Sequence, residues 1–538
     1  MTTLAKKKSG VRLDLVKALM AVIFILLCLL PLVRMMFFID GETFKRVVTS
    51  EEFGTSVLNT VLVGVTATAI SVILALLLSF SLQRTNVRGK SVFTMIFCLP
   101  MLIPSISIGS GLTILFGNNG IFTRLLSLEK SIYGFWGIVL GSVIYSFPVA
   151  FIMLNDVLKY EDGLPYEAAE VLGFSKMRKT VAITIPYLKK PLISAIFATF
   201  TMIVTDYGVP FVLGGKFKTV PMLLYDNVAG SSLNFSAGSV IGLFLLIPAV
   251  IAFLFDLLGK SKGNTSFIPK PMPIAKDRLR DAAAYLLSIA VALGSLILAG
   301  SFLFLSIFKN YPRDMTVTFD NFKRTFELGG SEYLVNSLVI ALCTSVLGVV
   351  IAFITAYFTA RVRSKTSKFL HLMSITSLAI PGMVLGLSYS LTFNKTPIYG
   401  TIAILILVNT MHFFASPYLM AYNSMSKMNE NLENVGETIG VSRFRIIKDV
   451  ILPQSRSTLI EAFAYFFVNC MMTISAVSIL ASAGNKPISL LINQFEAHMQ
   501  VGCAAVVSLL ILVINLLIKG IVLFCQKRFF DRKPSKTV

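Results

Sequence analysis

The chain has 538 residues, 55% of them hydrophobic and only 14% charged, whereas an ordinary soluble domain carries about 25% charged residues. Water is therefore not its main solvent. The 48 Lys and Arg against 27 Asp and Glu give a formal net charge of +21, but that charge sits in short loops between apolar runs, where it suits an anionic leaflet, and no nucleic-acid partner is expected.

The first apolar run, Leu15 to Phe38, contains only Lys17 and Arg34 as charged residues. Its length crosses a bilayer core of about 30 Å at about 1.5 Å per residue. It is too long for a signal-peptide core and lacks a small-residue cleavage site, so it is expected to stay as a membrane helix. Hydropathy windows place further spans near 56–83, 91–116, 133–158, 188–213, 236–258, 282–308, 333–360, 367–393, 398–424, 456–480 and 500–526. The expected class is an all-α polytopic membrane protein of about twelve transmembrane helices. With both termini cytoplasmic, the inner segments collect 35 Lys and Arg and the outer ones 13, which predicts that orientation in a prokaryotic plasma membrane.

Cys28, Cys98, Cys343, Cys470, Cys503 and Cys525 lie singly in apolar stretches and read as small lipid-compatible side chains. His371, His412 and His498 share no close spacing with cysteine or with each other, so no metal site is expected.

One offset aligns several features. Leu58-Asn59-Thr60 matches Val335-Asn336-Ser337, Arg84 matches Arg361, and IPSISIG at 103–109 matches IPGMVLG at 380–386, all 277 residues apart. Further on, Gly173 pairs with Gly440 and Pro186 with Pro453 at an offset of 267. The chain is thus read as two copies of one module, 1–258 and 282–538, joined by a basic, proline-containing cytoplasmic linker at 259–281. Six spans per copy is an even number, so the two six-helix repeats run parallel, and a pathway between them is the natural expectation.

Between the fourth and fifth spans lies EAAEVLGFSKMRKTVAITIPYL, from Glu167 to Leu188, with the counterpart NVGETIGVSRFRIIKDVILPQS, from Asn434 to Ser455. Glu167, Ala168 and Ala169 favour a short helix with a small-residue face, Gly173 permits a turn with positive φ, and a basic second helix runs to Pro186. Asn434, Gly436, Glu437, Gly440 and Pro453 repeat the layout, with the same glycine-to-proline spacing of thirteen. One such segment would read as a solvated amphipathic loop; two at matching topological positions read as docking elements for a cytosolic partner.

These segments resemble the EAA loops of binding-protein-dependent ATP-binding-cassette importer permeases, and the similarity covers nearly the whole chain as a fused tandem. The resemblance implies that each loop docks one of two copies of an ATPase subunit, and that an extracytoplasmic solute-binding protein delivers the cargo. ATP and Mg would be bound by that ATPase, leaving no cofactor on this chain. The second copy departs from the pattern, with Asn434 at the glutamate position and Val435-Gly436 in place of Ala-Ala; Glu433 or Glu437 are the acidic residues able to compensate.

Phosphate-binding loops need a glycine five residues ahead of Gly-Lys-Ser/Thr. The triplets at 89–91 and 259–261 have Arg84 and Leu254 there instead, so this chain is expected not to be an enzyme and ATP is expected to act in trans. No G-x-S-x-G elbow or H-E-x-x-H helix occurs either, which weakens the case for an intramembrane enzyme.

Ionisable residues at membrane depth are costly and suggest function. Asp206, in TMIVTDYGVPFVLGGKF, precedes Gly208 and Pro210, which would interrupt a helix; Thr473 occupies the aligned position. A pathway role and a solvated aspartate at a helix end are weighed equally for Asp206. Asn59 and Asn336 are further pathway candidates, with interhelical hydrogen bonding as the alternative. Pro104 and Pro381 are expected to kink the third span of each copy. The runs TDYGVPFVLGGKF, GLFLLIPAVIAF and FVNCMMTISAVSIL resemble fused permeases for 2-aminoethylphosphonate, within a group that includes iron(III) and thiamine permeases. From another class, an ion-coupled secondary transporter with two six-helix halves fits the span count but leaves the repeated loop unexplained.

Overall fold

The computed structural model describes residues 3–127, 129, 132–230, 233–259, 270, 274–362 and 364–529. Residues 260–269 and 271–273 of the expected linker lie outside the described residues. Among the described residues eight helices are long and apolar enough to cross a membrane: Asp14–Met36, Glu51–Gln83, Phe135–Lys159, Met177–Val204, Phe235–Phe255, Arg278–Ile307, Asp320–Ala360 and Val501–Arg528. Two bent pairs add to these, Lys365–Ala379 with Gly382–Phe393 and Ile402–His412 with Ala415–Ser426. The remaining two expected spans are present as the broken segment from Lys90 to Phe116 and the helix Arg456–Met472.

The third spans are where expectation and structure part. What hydropathy presents as one helix at 91–116 is a helix Lys90–Phe97, a short 3-10 turn Leu99–Leu102 and a second helix Ser105–Phe116. Its counterpart turns by 109° between its two parts. Proline clashes with a preceding helical residue, and Ile103 and Ile380 are both extended, at φ −122° and −105°. Pro104 and Pro381 therefore break these spans rather than kink them. The fifth spans are broken too: Ile185–Val204 stops, and the chain restarts as Gly208–Leu213, while Arg456–Met472 is followed by non-helical chain until Ser489–Ala497.

The first span of each repeat packs on the opposite repeat. In the first, Thr3–Phe24 passes through a π turn, Ile25–Leu29, into Leu30–Met36. Tyr389 donates to the Leu27 carbonyl at 2.7 Å, Phe24 meets Phe414 edge-on at 4.8 Å, and buried Lys17 donates to Ser364 at 2.9 Å. Reciprocally, Leu298, Phe302 and Leu305 of Arg278–Ile307 enter a core with Val63, Ile108 and Ile138. The repeat boundary in sequence is thus not the packing boundary. Beyond Ile307 a small antiparallel hairpin, Phe308–Asn310 with Asp314–Val317, precedes the next span.

Buried polar side chains knit the repeats together. Ser508 donates to Ser107 at 2.8 Å, Asn515 to the Leu102 carbonyl at 3.0 Å, and Asn493 to the Tyr207 hydroxyl at 2.6 Å. Such bonds are worth about 0.6 kcal/mol each in a membrane bundle, so they select register more than they supply stability.

Candidate coupling and translocation site

Each of the two candidate coupling segments folds as its residues dictate. Leu164–Val171 ends at Gly173, whose φ is +72°, and Leu432–Thr438 ends before Gly440, at φ +76°. Both turns carry the same pair of bonds: Phe174 N–H to Ala169 O and Gly173 N–H to Glu170 O, then Val441 N–H to Gly436 O and Gly440 N–H to Glu437 O. This closure satisfies the last carbonyls of the short helix and needs a left-handed residue at the glycine. The second helices, Lys176–Lys179 and Arg443–Ile446, pass through π turns at Thr180–Thr184 and Ile447–Ile451. Those wider turns sit immediately before Pro186 and Pro453, which lack the N–H an α turn would use.

Part of the small-residue face points inward. Ala169 is buried, and a Cβ on Gly436 would collide with Ile446 of the same loop. Small residues here let the two helices of the hairpin close on each other. The outward faces instead carry Val171, Leu172 and Met177 in one copy and Val435, Ile439 and Phe444 in the other, all exposed. Leu172 aligns with Ile439 and Met177 with Phe444, a matched pair of apolar knobs that a polar-motif search does not detect. Ala168, Asn434 and Glu437 are exposed beside them, and Glu167 is half-buried.

Charges around the loops are largely committed within the chain. Lys270 contacts Glu167 at 2.8 Å, Lys179 contacts Glu170 at 3.0 Å, and Arg443 contacts Glu437 at 2.6 Å. Glu433 is buried and held by Arg361 through two bonds of 2.9 and 2.6 Å. It therefore cannot take the place of Glu167 at the surface, and Glu437 is the exposed acidic group of the second copy. Arg361 also donates to the carbonyls of Met428 and Asn429 at 3.0 and 2.6 Å, and the Glu433 carboxylate raises its already high pKa. At the equivalent position Arg84 pairs with buried Glu161, donates to the Tyr166 hydroxyl at 2.9 Å and stacks 4.7 Å from the Tyr166 ring centre. Tyr166 and Glu433 occupy equivalent positions, each just ahead of the motif. The arginines appeared in the sequence only as markers of duplication; their role is visible through partners 72 to 82 residues away.

The broken third and fifth spans meet. A Cβ on Gly208 would collide with the Ser105 hydroxyl, and a Cβ on Gly382 with the Ser475 hydroxyl. Ser105 aligns with Gly382 and Gly208 with Ser475, so the two halves solve one close approach with the partners exchanged. Asp206 accepts the Val209 N–H at 3.0 Å, capping the restarted helix, and stays partly accessible. Thr473 is buried, and its carbonyl accepts from Ser489 at 2.6 Å. Near these breaks Thr473 Oγ1, His412 Nδ1, Asn493 Oδ1 and Glu496 Oε1 have no hydrogen-bond partner among the described residues. Glu496, three residues beyond Asn493, was not singled out from sequence because it follows no long apolar run. Asn59 and Asn336 are buried and donate to the carbonyls of Lys218 and Lys486 at 2.9 and 3.3 Å. Both amides thus bond the chain that follows the fifth span.

A family profile described as binding-protein-dependent transport system inner membrane component matches residues 67–262 and again 348–531. The chain belongs to this family. Its two matches fall one in each half, so the family domain is present twice in tandem. Among curated relatives, the ferric transport system permease protein FbpB of Actinobacillus pleuropneumoniae is 26% identical over 476 residues, covering 84% of this chain and 68% of that protein. The putative ferric transport system permease protein FbpB 1 of Haemophilus influenzae is 27% identical over 478 residues, covering 84% and 74%. The molybdenum transport system permease protein ModB of Haemophilus influenzae is 28% identical over 201 residues, 36% of this chain and 87% of that protein, as expected for a relative the size of a single half.

As a permease of this family the chain is a multi-pass protein of the inner membrane, and the ATPase of such importers is a separate subunit. The first Gly-Lys-Ser triplet opens the helix Lys90–Phe97, with Gly89 at φ +74°; the second lies mostly outside the described residues. Among the described residues no three His, Cys, Asp or Glu side chains converge to hold a metal ion, and all six cysteines are free. The names of these relatives speak of ferric and molybdenum transport, and none of them supports 2-aminoethylphosphonate as cargo.

Proposed function

We propose that this permease carries ferric iron, handed over by an extracytoplasmic binding protein, and that two copies of an ATPase subunit dock on the loops at 167–186 and 434–453. Both termini are then cytoplasmic, with the basic loops on the ATPase side. The observation that carries the coupling reading is the repeat of one hairpin, closed by Gly173 and Gly440 and presenting Leu172 with Met177 and Ile439 with Phe444. Exposed apolar groups ringed by committed charges suit a protein partner better than water.

For the cargo, the acidic groups next to the broken spans favour a cation. Asp206 and Glu496, when ionised, would attract it more strongly than a zwitterion whose phosphonate group they repel. The support from the relatives is the ferric transport named for two of them.

The test is reconstitution of the permease in liposomes with its ATPase and binding protein, offering radiolabelled ferric iron or labelled 2-aminoethylphosphonate on that binding protein. ATP-dependent iron accumulation is expected. Accumulation of the phosphonate without iron would reject the cargo, and ion-driven uptake in the absence of the ATPase would reject the importer mechanism itself.

A further inference from the structure

The second span is the element that touches both machineries without a break. Glu51–Gln83 and Ser331–Ala360 are continuous helices without proline, whereas the third and fifth spans are interrupted in both halves. At one end stand Arg84 and Arg361, engaged with Tyr166 and Glu433 at the start of the coupling segments. At the other end the same helix grips the extended chain that follows the broken fifth span. In the first half Asn59 donates to Lys218 O at 2.9 Å and Thr60 accepts from Val220 N–H at 2.8 Å. In the second, Asn336 donates to Lys486 O at 3.3 Å and Ser337 accepts from Ile488 N–H at 2.7 Å. Arginine and asparagine are 25 residues apart in each half, about 37 Å along a helix.

We propose that the second span of each half is a transmission rod. Arg84 and Arg361 are positioning residues that clamp it to the coupling segment. Asn59 with Thr60, and Asn336 with Ser337, clamp its far end to the strand of chain leading into Val220–Val228 and Ser489–Ala497, the second of which carries Glu496. A push on the coupling segment then displaces the far segment as one body.

The physical reason lies in stiffness and in what each clamp would lose by slipping. The fifth span follows the coupling segment directly, but its hydrogen-bonded ladder ends at Val204 and Met472, so it can bend there. The second span keeps its ladder throughout. The Arg361 side chain is 3% exposed and spends its donors on a carboxylate and main-chain carbonyls, so opening the contact leaves several groups without partners. The amide of Ile488 and the carbonyl of Lys486 are main-chain groups in a segment without its own helical bonds, and Ser337 and Asn336 satisfy them. Each clamp is therefore costly to break, and motion is passed on rather than absorbed.

The inference rests on the reading that the loops receive the ATPase, and the experiment separates the two. A Lys486→Cys permease, which keeps the Lys486 carbonyl contact, is reconstituted with its ATPase in nanodiscs. Labelling of the introduced thiol by a maleimide is timed without nucleotide and after trapping with ATP and vanadate, native cysteine labelling being subtracted with the unsubstituted permease. A change in rate of about fivefold is expected, of the size usual for coupled sites. Adding Asn336→Leu or Arg361→Met should abolish that change, and the two together should do no more than either alone, because they cut one link in series. Should Arg361→Met fail to assemble, Asn336→Leu decides by itself, being far from the loop. A full nucleotide response in the Asn336→Leu protein overturns the rod, as does a silent Lys486→Cys thiol while bound ATPase is hydrolysing ATP. Failure of the ATPase to bind the unsubstituted permease strikes the docking reading instead.

Discussion

The Ser475 hydroxyl lies so close to Gly382 that a Cβ on residue 382 would collide with it and press on His412. Gly382→Ala should therefore cost about 1–3 kcal/mol through overpacking, seen as a lower melting temperature and reduced uptake. Exchanging the pair, Gly382→Ser with Ser475→Gly, copies the arrangement of Ser105 and Gly208 in the first half and should restore most of the loss. A double variant no better than the single one would show that the two halves do not share this contact's logic.

Glu433 and Glu437 are both acidic residues of the helix Leu432–Thr438, yet they should behave oppositely. Glu433→Ala leaves the Arg361 guanidinium buried without its carboxylate, a change worth about 3–5 kcal/mol. Glu437→Ala removes a pair with Arg443 that is about a third exposed on each side, worth less than about 1 kcal/mol. Thermal unfolding of the two variants in detergent compares them directly; equal losses would contradict the assignment.

At Gly173 and Gly440 the demand is conformational, because a Cβ would meet nothing within 4 Å at either position. Asparagine, which tolerates the left-handed region, should be accepted with little effect, while valine should cost about 1–2 kcal/mol and misplace the hairpin. Co-purification of the ATPase with each variant is the readout. Equal retention by valine and asparagine would mean that the turn is not what presents the docking face.

Asp206→Asn and Glu496→Gln each remove a negative charge next to the broken spans. For a cationic cargo, uptake at low substrate should fall about tenfold in either variant, the equivalent of about 1.4 kcal/mol of lost attraction. Uptake of iron at the parent rate by both variants would remove the carboxylates from the pathway.

Asp40 offers a pH-dependent check on the far end of the first span. Its carboxyl is lowered to about 2 by the hydroxyl of Ser236 and the amide of Thr43, which donate to it. A depressed value in the folded chain contributes stability above the unfolded value of about 3.9 and loses it as pH falls toward the folded one. The melting temperatures of the parent and of Asp40→Asn should thus differ by a constant amount above about pH 5 and converge below about pH 4. A gap as large at pH 2.5 as at pH 6 would assign the contact to packing instead.

Much of the candidate coupling site was legible because its chemistry is local. Gly173, Gly440, Pro186 and Pro453 act within one turn of where they stand, so their spacing predicted a hairpin that the structure contains. Glu433 shows the limit: next to Asn434 in sequence it reads as a surface acid, and only Arg361, 72 residues away, makes it a buried ion-pair member. The third spans show another limit. Hydropathy averages over a window and records that residues 91–116 are apolar, but it is blind to a backbone that turns at Pro104 while staying apolar.

The amino-acid order by itself determined the solvent, the near-twofold repetition and the family-type loops, since transfer free energy is additive along a chain and a duplication keeps its offsets. Which repeat each first span packs on, where Asn59 and Asn336 spend their amides, and that Arg84 and Arg361 reach the motif were decided only by tertiary structure. Those features depend on groups far apart in sequence meeting where no water can substitute for a missing partner, and no local pattern encodes such a meeting.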